Sequence, residues 1–185
     1  MHRMALDLLD LARLEAGTAD LEMSPVDMGV LLRSVVEKFN PQAQKAGIRL
    51  QANIPEDLPA LIGDGDRLAQ VFTNLVDNAL EFTPTNGQVT LSAVHAGGEM
   101  QISITDTGQG MPREALPHLF DRFYQVDASR SRAGGETAAG RRGAGLGLAI
   151  VQEIVQVRNG RINVRSEVGQ GTTFLIHLPI AAERK

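Results

Sequence analysis

The sequence predicts an α+β fold, a two-layer α/β sandwich in which about three helices cover one face of a mixed, mostly antiparallel sheet. Three observations carry this reading. Segments whose apolar residues recur at helical spacing are interleaved with shorter ones that alternate at every second position. The pair Gly97-Gly98 stands between two such alternating segments, as a tight antiparallel turn requires. Finally, at 185 residues, 43% hydrophobic and 22% charged, the chain has the length and composition for one domain with its own core plus a short appendage.

Met4 to Ala16 reads as a short amphipathic helix, with Met4, Leu8, Leu11 and Ala12 on one face and Gly17 as its stop. Met1 to Arg3 carry no capping signal, so the chain is expected to enter this helix part-way along a longer one. A second helix is expected from Asp27 to Gly47, burying Leu32, Val36, Phe39 and Ala43, with Pro41 as a kink or break. Ile48 to Asn53 follows as a strand, then a loop from Ile54 to Gly65. In Asp66 to Phe82 the residues Leu68, Val71, Phe72, Leu75, Val76 and Ala79 trace one helical face, and Asp66 sits near the expected cap. Gln88 to Val94 and Met100 to Thr105 form the hairpin about Gly97-Gly98. Beyond Pro112 a turn of helix precedes Leu119 to Tyr124. Asp127 to Gly143 holds almost nothing to bury and reads as a mobile loop. Leu148, Val151, Ile154 and Val155 mark a helix closed by Asn159-Gly160. Strands near Arg161 to Ser166 and Thr172 to Leu178 then flank the turn Gly169-Gln170-Gly171.

Composition removes several functional classes. The absence of cysteine excludes a disulfide framework, a thiolate metal site and a cysteine nucleophile. A net charge of −4 argues against a general nucleic-acid binder. Six Phe, one Tyr and no Trp leave little stacking surface for sugars or single strands, whereas 19 glycines let backbone approach phosphates. No apolar run approaches the roughly 18 residues of a membrane span, and the opening residues do not read as a secretory signal.

Three places carry chemistry. Asn74, Asn78 and Glu81 form one stripe on the Asp66 to Phe82 helix; this is either a solvated face or an oxygen-donor surface for a hard cation such as Mg²⁺ and its phosphates. Asp106 shares the parity of Met100, Ile102 and Ile104, so its carboxylate points to the apolar side and needs a partner. A purine exocyclic amine would serve, and so would a donor in its own turn, Thr107-Gly108-Gln109-Gly110. Gly143-Ala144-Gly145-Leu146-Gly147-Leu148 runs into a helix, whose first N–H groups and dipole suit phosphate. It lacks both the Lys-Ser/Thr ending of a P-loop and the preceding strand of a dinucleotide fingerprint. Just before it, Arg130, Arg132, Arg141 and Arg142 against Glu136 make a basic loop in an acidic chain.

Taken in order, these segments closely resemble the ATP-binding catalytic domain of bacterial sensor histidine kinases, within the larger Bergerat-fold class that includes gyrase and the heat-shock chaperone ATPases. Asp66-Arg67-Leu68 through Asn74-Leu75-Val76-Asp77-Asn78-Ala79 looks like the N box, and Asp106 to Gly110 like the first glycine box. Leu119 to Tyr124 resembles the F box, Gly143 to Ile150 the second glycine box, and Gly171-Thr172-Thr173-Phe174 the closing motif. Leu9 to Gly17 is similar to the end of the helical hairpin that precedes this domain. The resemblance implies residues 1–17 as the tail of that hairpin, 18–180 as the catalytic domain with an ATP lid at about 125–142, and 181–185 as a disordered tail.

Roles follow from the resemblance. Asn78 would ligate Mg²⁺, Asn74 would support the phosphate site, and Asp106 would accept from the adenine amine, aided by Gly110 and a water near Thr172. Ile104, Met111, Leu148 and Phe174 would wall the purine. Gly108, Tyr124, Arg141, Arg142, Gly143, Gly145, Leu146 and Gly147 would complete the nucleotide contacts, and Asn74 and Arg122 are the expected catalytic residues. The implied activity is transfer of the γ-phosphoryl group of Mg·ATP to a histidine on the helical hairpin, for relay to a response-regulator receiver domain. The parent is expected to be a homodimer on the cytoplasmic side of a sensor, this chain a monomeric piece of it.

The hydrolytic members carry a Glu four residues before the metal-binding Asn as base for water; here that position is Asn74, which disfavours an ATPase. Other departures concern charge. Glu81 stands where Lys or Arg is usual, Gln125 where many members have Arg, and Ala144 where Ser, Thr or Gln is frequent. Arg122, Arg141 and Arg142 are expected to compensate; if they do not, the chain is a nucleotide-binding module without kinase activity. No acceptor histidine is recognisable: His2 precedes Arg3, and His95, His118 and His177 lie outside any acceptor context.

Overall fold

The fold was taken from a computed structural model, which describes residues 2–126 and 145–180. The segments are α1 (His2–Glu15), β1 (Ser24–Val26), α2 (Met28–Ala46), β2 (Arg49–Asn53), β3 (Leu61–Gly63), α3 (Gly65–Phe82), β4 (Gln88–Ala96), β5 (Glu99–Asp106), a 3₁₀ turn (Arg113–His118), α4 (Gly147–Val157), β6 (Arg161–Glu167) and β7 (Gly171–Pro179). Five strands form one sheet in the order β2-β4-β5-β7-β6; β2 and β4 run parallel and the other pairs antiparallel. The expected α+β sandwich with a mixed, mostly antiparallel sheet is the observed one.

Strand parity builds the core. Val89, Leu91 and Ala93 of β4, Met100, Ile102 and Ile104 of β5, and Phe174, Ile176 and Leu178 of β7 all point to the helical side and are buried. Register joins them into rows: Leu91, Ile104, Phe174 and Val164 lie abreast, as do Ala93, Ile102, Ile176 and Ile162. Against these rows pack Leu68, Phe72, Leu75 and Val76 of α3 and Ile150, Val151 and Ile154 of α4. Each such side chain contributes about 1.5–3 kcal/mol by leaving water.

The helix ends follow capping chemistry. Asp27 Oδ1 accepts from Val30 N at 3.0 Å at the start of α2, and Gly47 closes it in the left-handed region at φ 69°. Pro41 does not split α2, because both it and Glu37, whose carbonyl loses its N–H partner, face solvent. For α3 the cap is Asp64 rather than Asp66: Asp64 Oδ1 accepts from Arg67 N and Oδ2 from Glu22 N, each at 3.0 Å. That second bond ties the helix start to the loop before β1. The stretch expected as a loop before α3 holds β3, which pairs with β1. On α1 the buried face is rotated from the expected one. Leu11 and Leu14 are buried there, whereas Met4, Leu8 and Ala12 are exposed, because Asp10 turns inward to Arg67 at 2.6 Å. The reading of Asp127 to Gly143 as a mobile loop and of 181–185 as a disordered tail lies outside the described residues.

Candidate functional site

At one end of the sheet the apolar rows give way to a mixed one. Val89, Asp106, Thr172 and Ser166 lie abreast across β4, β5, β7 and β6, all turned toward the helices. Asp106 is 5% exposed, and its Oδ1 accepts from Gly108 N at 2.8 Å and from Thr172 N at 3.2 Å. Burial raises its carboxyl above the ordinary carboxylate range, and the two N–H donors counter part of that rise. Its own turn thus supplies one of its donors, and the neighbouring strand the other.

Two glycine turns meet over this row. Gly169 N donates to Gln109 O at 2.8 Å, which joins the β5 exit to the β6–β7 turn. Gly110, at φ 66°, has room for no side chain: a Cβ would stand 1.9 Å from the Glu167 carbonyl oxygen. Gly171, at φ 94°, would place a Cβ 2.0 Å from the Asp106 carbonyl oxygen. Gly108 fits between the Asp106 carboxylate and Phe82 at the end of α3, whose carbonyl accepts from Gln109 N at 3.4 Å. The first glycine turn therefore seats the Asp106 carboxylate against the C-terminal end of α3.

On α3 the Asn stripe is not a solvated face throughout. Asn74 is half-buried and its Nδ2 reaches the Gly147 carbonyl at 3.4 Å, joining α3 to the first residue of α4. Asn78, one turn on, is half-buried and Glu81 is exposed. Leu146, buried at the N-cap of α4, offers no side-chain cap to the first turn. Gly145, at φ 72°, accepts from Phe123 N at 3.0 Å, so the F-box segment lies directly against the second glycine segment. Met111, whose N–H meets Ser166 of the mixed row, and Leu148 are half-buried, while Ile104 and Phe174 are 1% exposed and belong to the core.

The other expected residues separate. Tyr124 is half-buried and its ring lies 5.7 Å from that of His118. Arg122 pairs with Glu15 at the end of α1. Arg141, Arg142 and Gly143 lie outside the described residues. One participant escaped the sequence reading: Ser166 accepts from Met111 N at 2.8 Å, donates to Gly171 O at 3.0 Å and lies 2.8 Å from Thr172 Oγ1. The signal was available, since Ser166 shares the parity of Ile162 and Val164 on an inward face, the same logic that singled out Asp106.

A two-layer sandwich with a buried acidic residue beside paired glycine turns, and a helix N-terminus that Leu146 leaves without a side-chain cap facing an Asn-bearing helix, forms a site of the class suited to a nucleotide. Residues 63–182 match the family described as histidine kinase-, DNA gyrase B-, and HSP90-like ATPase, and the chain belongs to it. Among curated relatives it is 40% identical over 173 residues to the sensor protein DivL of Caulobacter vibrioides, covering 94% of this chain and 21% of that protein. It is 36% identical over 181 residues to the adaptive-response sensory kinase SasA of Synechococcus elongatus, covering 97% of this chain and 44% of the relative. Over 179 residues it is 36% identical to the sensor protein SrrB of Staphylococcus aureus, covering 97% and 29%. The chain thus spans under half the length of these relatives. Among solved structures it resembles full-length ShkA in complex with AMPPNP, at 35% identity and a TM-score of 0.82 over 100% of this chain and 37% of that one. It also resembles the nucleotide-free catalytic domain of the histidine kinase ThkA, at 25% identity and a TM-score of 0.72, covering 86% and 96%. Among the described residues no helix is long and apolar enough to cross a membrane.

Proposed function

We propose that this chain is the ATP-binding catalytic domain of a sensor histidine kinase, holding Mg·ATP for transfer of its γ-phosphoryl group to a histidine on a helical hairpin of the parent protein. The observation that carries the reading is Asp106: a 5% exposed carboxylate whose two backbone donors among the described residues both go to Oδ1, which leaves Oδ2 for a ligand N–H. An adenine amine supplies such a donor. With the base there, the triphosphate extends toward α3 and α4, where the first turn of α4, given no side-chain cap by Leu146, provides N–H groups.

The donor set suits Mg²⁺ brought by the nucleotide. Asn78 offers a neutral amide oxygen from a half-buried position, and Mg²⁺ characteristically takes few protein ligands beside water and substrate phosphates. When bound, the ion neutralises phosphate charge. Asn74 holds Gly147 and so keeps the first turn of α4 turned toward α3. In the transfer the bond from the γ-phosphorus to the ADP oxygen breaks, a bond to an imidazole nitrogen forms, and ADP leaves. That chemistry depends on positioning and charge more than on a base, which fits Asn in place of Glu at 74. Response-regulator relay, dimerisation of the parent and a cytoplasmic location belong to the same proposal. So does the boundary between residues 1–17, as hairpin tail, and the catalytic domain from 18 to 180.

Supplying the helical hairpin of the parent in trans with γ-labelled ATP tests it. Label on the hairpin histidine is expected, and Asp106→Asn should sharply reduce it by weakening ATP binding. Binding without transfer would favour a module that has lost kinase activity, a reading to which the exposed acidic Glu81 lends itself. Rapid phosphate release by this chain alone would instead favour a hydrolytic ATPase.

A further inference from the structure

We propose that Ser166 is a specificity-determining positioning residue: it fixes the direction of the Thr172 hydroxyl so that Thr172 and Asp106 both present acceptors to the base, selecting a 6-amino purine over a 6-oxo purine. The inference rests on the adenine placement proposed above and concerns how that placement discriminates.

The argument is a proton count. A serine hydroxyl has one hydrogen and two lone pairs. Ser166 Oγ accepts from Met111 N at 2.8 Å, which takes one lone pair. Its hydrogen goes to the Gly171 carbonyl at 3.0 Å, an oxygen that only accepts. The remaining contact, 2.8 Å to Thr172 Oγ1, therefore has Thr172 as donor. Every hydrogen-bonding position of Ser166 is then filled, and the Thr172 hydrogen is committed toward β6.

Thr172 stands between Ser166 and Asp106 in the mixed row. With its hydrogen aimed at Ser166, its lone pairs face the Asp106 side, directly or through a water. A carboxylate and an oriented hydroxyl together form an acceptor pair. Adenine meets it with two amine hydrogens, whereas hypoxanthine sets its 6-carbonyl oxygen against the pair and keeps only the N1–H to donate. Strand order makes this geometry stiff: Thr172 is 7% exposed, and the Met111 bond also anchors the exit of the first glycine turn to β6.

Replacing Ser166 by Ala frees the Thr172 hydroxyl to rotate and donate into the site, which accommodates a 6-oxo group. The experiment measures Mg·ATP and Mg·ITP affinities by calorimetry, with the melting temperature of each variant as a check on folding. The parent should prefer ATP, and Ser166→Ala should lower the ATP:ITP ratio by about tenfold, mainly by tightening ITP. Ser166→Thr, which keeps the hydroxyl, should restore the parent ratio. In a Thr172→Val background, Ser166→Ala should leave the ratio unchanged, because the effect travels through Thr172. An unchanged ratio in folded Ser166→Ala overturns the inference, as does an equal loss of both ligands, which would mean support of the turn alone. Asp106→Asn separates this from the reading beneath it: if that variant keeps its ATP affinity, the adenine placement itself is wrong. If it loses ATP while the Ser166 ratio stays at the parent value, only the present inference fails.

Discussion

Asp106 is held against the preference of the free fold. Burial raises its carboxyl above the ordinary 3.8, with the Gly108 and Thr172 N–H groups opposing. A folded-state pKa above the unfolded one means that the folded chain binds the proton more tightly. The resulting stabilisation is complete below the unfolded value and is lost as pH rises through the folded one. At neutral pH the ionised side chain therefore weakens the unliganded protein. Asp106→Asn keeps an oxygen for both N–H donors and removes the charge. Its melting temperature should equal or exceed the parent's at pH 7, and the gap should close as pH is lowered toward 4. ATP affinity should meanwhile fall by roughly 10–100-fold, the worth of a hydrogen bond to a charged group. A variant that melts well below the parent at pH 7 would mean that the carboxylate supports the fold. The glycines beside it divide by what surrounds them. Gly171 carries both a positive φ and a 2.0 Å obstruction, whereas at Gly97, with φ 61°, an added Cβ would meet nothing within 4 Å. Gly97→Ala should cost only about 1 kcal/mol in urea unfolding and Gly171→Ala at least about 3 kcal/mol; equal costs would deny the close approach of the two turns. Sequence alone reveals the parity of Asp106 but not that contact, because steric closeness between distant turns leaves no local pattern.

At the scale of elements, the sheet and α3 were legible and α1 was not. Period-two alternation fixes which face of β4, β5 and β7 is inward, because only one face is covered. In α1 apolar residues occur around the helix, so periodicity does not choose a face. A polar contact does, the 2.6 Å pair of Arg67 with Asp10, whose side chains are each 24% exposed. Arg67 is also held by Gln70 at 3.1 Å, and Glu15 meets Arg122 at the far end of the helix. The caps show the same limit: Asp64 and Asp66 are equivalent candidates by type, and the bond from Glu22 N, made across 42 residues, selects Asp64. The short β1–β3 pair was missed for want of any alternation in segments of 3 residues. Docking of α1 is testable by itself. Leu14→Ala, at a position 3% exposed, should loosen α1 by about 2–4 kcal/mol. Hydrogen exchange should then accelerate in α1 while β5 and β7 keep their protection. Equal acceleration in the sheet would show that α1 unfolds only together with the domain.

For the whole molecule, the two glycine turns, the stripe on α3 and the start of α4 converge although they are scattered from Asn74 to Thr172 along the chain. The sheet order achieves this, because β7 inserts beside β5 and carries Thr172 to Asp106. An assembly of this kind is stabilised by its ligand through elements distant in sequence, so its response to nucleotide should be global. At Mg·ATP one hundred times above its dissociation constant, the gain is about 2.7 kcal/mol, or roughly 5–11 °C in melting temperature for a chain of this length. Chelation of the metal should reduce the shift, since an amide oxygen at Asn78 does not by itself offset triphosphate charge. Over the same interval phosphate release should stay near the buffer blank, because Asn74, whose amide holds Gly147 at 3.4 Å, carries no carboxylate to activate water. A shift indifferent to chelation would exclude Asn78 as a metal ligand. A full shift accompanied by rapid phosphate release would mean that water reaches the γ-phosphate without a base at position 74, and the distinction drawn between transfer and hydrolysis would fall with it.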